Sequence, residues 1–101
     1  MSDTKKHFYL RLNPPRPSFE SDMTEGERAI MLRHVAYWAP YVEDGTVIVL
    51  GPVMDAKGGF GMAVVEVEHE EQLQELISKD PANGLGTYEI SPMRAVTKKR
   101  T

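Results

Sequence analysis

The chain has 101 residues, with 12 lysines and arginines against 15 aspartates and glutamates, a formal net charge of −3 and no cysteine. That length predicts one domain, and the acidic balance argues against sequence-independent binding to nucleic acid or anionic membrane, both of which reward clustered positive charge. The lack of cysteine excludes disulfides, thiolate nucleophiles and cysteine-ligated metal sites.

In chain order, Lys6 to Leu12 alternates Phe8, Leu10 and Leu12 with His7, Tyr9 and Arg11, the period of a strand with one apolar face. Asn13-Pro14-Pro15-Arg16-Pro17 ends it, because prolines remove N–H donors and hold the chain extended. The connection from Ser18 to Met23 is long, and Arg16 could reach from it into a pocket beneath. Thr24-Glu25-Gly26-Glu27 is a capping-box pattern that starts a helix. Along that helix Met31, Val35, Trp38 and Val42 form a core stripe. Ile30, His34, Tyr37 and Tyr41 form a second stripe beside it, and Arg33, Ala36 and Pro40 lie on the wet side. Pro40 is expected to kink the helix, and Gly45 to stop it.

Thr46 to Val53 reads as a strand apolar on both faces, ended or bulged by Gly51-Pro52. Asp55-Ala56-Lys57-Gly58-Gly59 is turn material, and Phe60 to Glu68 returns as a hairpin partner. A helix from about Glu70 to Lys79 buries Leu73, Leu76 and Ile77, and Asp80-Pro81 stops it. Thr87 to Val96 is the last strand, with Pro92 marking an edge. The ordered core is thus 6–96, followed by a basic tail at 97–101.

The order βαββαβ predicts an α+β, ferredoxin-like fold, a four-stranded antiparallel sheet with two helices on one face. Such helices cover one face only, yet the second and third strands are apolar on both. The other face is therefore expected to meet a second copy, giving a homodimer.

No segment approaches the roughly 20 apolar residues a membrane span needs. The apolar run after Lys5 and Lys6 meets Arg11, so it lacks a signal-peptide core, and a cytoplasmic protein without membrane association is expected. The stretch from Lys57 to Ala63 is similar to the third-strand fingerprint of RNA-recognition domains. However, Met62 stands where a stacking aromatic belongs, and the net charge is negative. No nucleic-acid partner is expected.

Of the three histidines, none is spaced i,i+4 from another, and no metal site or cofactor is implied. His7 and His69 read as surface residues. His34 flanks the core stripe, where a histidine can exchange protons near neutral pH. Asp80 is the second candidate, with Tyr37 and Tyr41 as pocket walls and Arg16 and the turn residue Asp55 as further ligand-binding candidates. The plainer alternatives are a core histidine, a helix-stopping aspartate and a turn aspartate.

The segments Leu10–Pro17, Met31–Trp38, Gly51-Pro52-Val53, Asp80-Pro81 and Tyr88–Ala95, in that order, resemble the YCII-related (YciI-like) family over nearly the whole chain, Phe8 to Ala95. The resemblance implies a ferredoxin-like α+β fold that dimerises sheet to sheet into an α/β barrel, as muconolactone isomerases do. It further implies that His34 and Asp80 are the family's paired histidine and aspartate, a pair that suggests enzymatic activity. Two readings remain open. One is a small-molecule enzyme using the pair for acid–base chemistry, of isomerase or lyase type. The other is a non-catalytic dimeric module that binds a small ligand or serves in a stress response.

Overall fold

The computed structural model describes residues 5–98. Four strands, β1 (Lys6–Asn13), β2 (Val47–Val53), β3 (Phe60–Val67) and β4 (Thr87–Met93), form one sheet in the order β2-β3-β1-β4. Every pairing is antiparallel. The helices are α1 (Phe19–Asp22), α2 (Glu25–Glu43) and α3 (Glu70–Ser78). This is the ferredoxin-like α+β arrangement, with the first strand central and both prolines of β2 and β4, Pro52 and Pro92, on edge strands. Edge strands tolerate proline because one side of the ladder needs no N–H. The basic tail at 97–101 falls beyond the last strand, and its residues 99–101 lie outside the described residues.

Register follows from alternation. Phe8 stands opposite Val65, and Leu10 opposite Ala63 on one side and Ile90 on the other. One sheet face therefore gathers Phe8, Leu10, Ala63, Val65 and Val67, all buried, against Trp38 of α2 and Leu73 and Ile77 of α3. Slipping any strand by one residue would turn its whole apolar set to the other face.

Several boundaries differ from the sequence reading. The connection after β1 contains a short helix, α1, whose Phe19 is buried. Gly51-Pro52 neither ends nor bulges β2, since both pair with β3; the irregularity falls between Val47 and Val49. The last strand ends at Met93, not Val96. At α2 the capping box forms as expected, with Thr24 accepting from the Glu27 amide and Glu27 from the Thr24 amide. The helix continues through exposed Pro40, and Gly45 follows with φ 88°.

The rotation of α2 also differs. Val35 and Val42 of the expected core stripe are 62% and 43% exposed, whereas Ile30, His34, Tyr37 and Tyr41 are half-buried around Trp38. Both stripes have helical spacing, so periodicity alone does not choose between them. Tyr37 and Tyr41 of the second stripe pack on Trp38: Tyr37 meets it edge-on at 5.2 Å, and Tyr41 packs 5.8 Å from both. Only that rotation also presents polar partners to the end of α3.

The contrast is measurable by urea denaturation. Leu73→Ala, at a fully buried site, is expected to cost about 2–5 kcal/mol. Val35→Ala should change stability by less than about 0.5 kcal/mol, as at other exposed positions.

Candidate active site

The chain leaves α3 at Asp80 because Pro81 cannot continue a helix and disfavours helical geometry in the residue before it. The Asp80 amide still bonds the Ile77 carbonyl at 3.1 Å. Its side chain folds over the turn that follows, Oδ1 accepting from the Ala82 amide at 2.9 Å. That turn is held close to β1. A Cβ on Gly86 would lie 2.3 Å from the Asn13 carbonyl oxygen, so only glycine allows the approach.

Asp80 is 3% exposed, and a buried carboxylate must be matched by donors. Three further donors come from distant elements. Nδ1 of His34 stands 2.9 Å from both carboxylate oxygens. Trp38 Nε1 donates to Oδ2 at 2.9 Å, and the Tyr88 hydroxyl donates to the same oxygen. His34 and Trp38 are one helical turn apart on α2, which is why both reach one group. Burial pushes the Asp80 carboxyl upward, but the hydrogen bonds from His34, Trp38, Tyr88 and Ala82 outweigh it and hold it below the usual carboxylate range. Burial pushes the Tyr88 phenol well above its ordinary value, and its bond to Asp80 adds to that.

An ionised carboxylate offers only acceptors, so Nδ1 of His34 carries the hydrogen, and in the neutral ring Nε2 holds the lone pair. The ring lines a cleft of about 440 Å³ between α2 and the sheet. Leu10, Leu12, Leu50 and Ala63 form its sheet side, Met31, Val35 and Trp38 its helix side. Pro14, Pro15, Phe19 and Met23 close it from the proline-rich connection. Val35 is exposed because it borders this opening.

The other candidate residues lie elsewhere. Arg16 does not line the cleft. Its Nη1 and Nη2 grip the Glu27 carboxylate at 2.9 and 2.7 Å, and its Nε meets Asp22 at 2.9 Å. Those bonds hold Glu27 down at about pKa 2, Arg16 being the largest cause and the Thr24 amide the next. Arg16 therefore fastens the connection to the start of α2, and its part in the cleft is to place that wall. Tyr37 donates to the Leu76 carbonyl at 2.7 Å, and burial pushes its phenol upward. Tyr41 packs on Tyr37 and Trp38, behind the cleft. Asp55 caps its own turn, accepting from the Lys57 amide at 2.9 Å. Sequence reasoning had not placed Trp38 and Tyr88 at the site. The i,i+4 spacing of His34 and Trp38 was the available signal for the first; the second needed the register of β4 on β1. Among the described residues, no group of three or more His, Asp or Glu side chains is placed to hold a metal ion, and no helix is long and apolar enough to cross a membrane.

A split βαββαβ sheet with an aspartate–histidine pair over an apolar cleft defines a small α+β domain with a ligand-sized site. The YCII-related domain model matches residues 7–97, and the chain belongs to that family. No curated protein matches it in sequence. Among solved structures it is similar to the 5-chloro-2-hydroxyhydroquinone dehydrochlorinase of Burkholderia phenoliruptrix in complex with 2,5-dihydroxybenzoquinone. The TM-score is 0.65 at 18% identity, over 86% of this chain and 93% of that one, a likeness of fold.

The carboxylate network makes a pH prediction. A carboxyl held below its ordinary value contributes stability above that value and loses it as pH falls through the folded one. Asp80→Asn is expected to be about 2–4 kcal/mol less stable than wild type at pH 7. In thermal unfolding series the gap should narrow as pH falls below the ordinary carboxylate value toward the lower one of the folded protein, where the wild-type carboxylate takes up its proton.

Proposed function

We propose that this domain is a small-molecule enzyme in which His34 acts as general base and then general acid, with Asp80 as its positioning partner. The observation that carries the reading is the Nδ1–carboxylate pair at 2.9 Å, on a histidine whose ring borders the cleft. Asp80 fixes the tautomer and the ring plane, so the Nε2 lone pair has one direction in which to accept a proton. The imidazolium then formed lies against a carboxylate, which offsets its charge in a site with little water. Trp38 and Tyr88 share the carboxylate and prevent it from rotating away. The family membership and the dehydrochlorinase neighbour, whose bound 2,5-dihydroxybenzoquinone is a small cyclic molecule, support small-molecule chemistry of this kind.

The proton-transfer step is open to direct measurement. In deuterium oxide the wild type should accelerate exchange at the acidic α-carbon of a neutral cyclic ketone, 2-tetralone, followed by proton NMR. His34→Asn should lose about 100-fold or more of that acceleration, the usual worth of a positioned base, while its circular dichroism stays native. Equal rates in the two proteins would leave the ligand-binding module as the better reading.

We infer also that the sheet face opposite the helices is covered by a second copy. Tyr9, Met62 and Val64 lie on that face half-buried, and Val49 is 50% exposed. An apolar sheet face of this kind packs well against its own copy across a two-fold axis. Light scattering after size exclusion should give about twice the 11.4 kDa chain mass at micromolar concentration. A monomer at that concentration would refute the dimer.

A further inference from the structure

The cleft holds few charged groups, and their signs are consistent. Among the described residues, no lysine or arginine lines it. Arg16 is engaged by Asp22 and Glu27, and Arg11 lies on the opposite sheet face, 3.6 Å from the centre of the Phe60 ring. The lining groups that can ionise are Glu20, exposed at the rim, His34, and Tyr88, whose hydroxyl is given to Asp80. Behind His34 stands the Asp80 carboxylate itself. Asn13, the remaining polar side chain of the lining, is turned to Glu89 and Arg11, donating to the first and accepting from the second, each at 2.7 Å. The side-chain atom left to bond a guest in the interior is Nε2 of His34.

Resting on the reading of His34 as proton acceptor, we propose that this cleft selects uncharged, largely apolar molecules of up to three rings that carry an acidic proton, and rejects anionic ones. A guest entering as an anion would give up water and meet a carboxylate at the rim and another beneath the histidine, with no cation to replace the lost solvation. A neutral guest brings no such penalty, and the cleft volume lies in the ordinary range for small-molecule sites. The chemistry then balances without a co-reactant. The guest's O–H or C–H bond breaks, its proton goes to Nε2, and its electron pair stays on the guest. The result is an anion beside an imidazolium, with no net charge added to the cleft. Return of that proton to a different atom of the guest gives an isomer.

Two dyes with the same rings test the charge rule: neutral N-phenyl-1-naphthylamine and its anionic counterpart 1-anilinonaphthalene-8-sulfonate. Trp38, the single tryptophan, lines the cleft and reports occupancy by quenching. The neutral dye should quench Trp38 and bind about tenfold or more tighter than the sulfonate. Glu20→Lys, at an exposed position, should tighten the sulfonate several-fold and leave the neutral dye unchanged. Equal or tighter binding of the sulfonate by the wild type would overturn the proposal. So would a neutral dye that leaves Trp38 unquenched, or an indifference of the sulfonate to Glu20→Lys. The proton-transfer reading stands or falls separately, on the exchange rate of His34→Asn, which is measurable whichever dye binds.

Discussion

The buried carboxylate of Asp80 is the constraint on which the rest of the arrangement depends. Among the described residues it has no permanently charged partner, and a carboxylate in that position is tolerable only if donors surround it. The Ala82 amide comes from its own turn, but Nδ1 of His34, Nε1 of Trp38 and the Tyr88 hydroxyl come from α2 and β4. Satisfying it therefore sets the rotation of α2, ties the end of α3 to that helix and anchors the start of β4. The rotation has a visible cost, since it leaves Val42 43% exposed. Hydrophobic burial by itself does not distinguish strongly between the two stripes of α2, and the polar demand of one aspartate does.

The proposed chemistry depends on the same constraint. A histidine held by a carboxylate at Nδ1 is restricted to accepting through Nε2, and apolar walls strengthen the electrostatic effect of the pair by excluding water. The structural neighbour shares the fold at 18% identity. Arg16 illustrates how far a plausible role can lie from the observed one. A lone arginine on a proline-rich loop suggests an anion site, but its guanidinium is taken by Glu27 and Asp22. Among the described residues the cleft is left without a cation.

The proline-rich connection takes its meaning from this clamp. Pro14 and Pro15 carry the chain away from β1, Phe19 of α1 turns inward, and Arg16 joins the segment to the capping box of α2. The Glu27 carboxylate serves both, accepting from the Thr24 amide and from the arginine. One residue thus starts the helix and fixes the wall of the cleft against it, so the opening is a built part of the fold rather than a gap between elements.

Local chemistry settled much of this in the sequence. Period-two alternation in β1 and β3, the Thr24–Glu27 capping box, the Gly45 stop, the Asp80-Pro81 break and the edge prolines each act through a few neighbouring residues. They determined the order of elements and the ferredoxin-like class, and the helix-and-aspartate pattern singled out His34 and Asp80. Tertiary structure decided what local rules leave degenerate: which of two apolar stripes of α2 faces inward, which hydroxyl and indole join the carboxylate, and where Arg16 spends its charge. Those outcomes depend on partners far apart in the chain, as far as 46 residues for His34 and Asp80. A buried charge finds its donors only when the whole sheet and both long helices are in place.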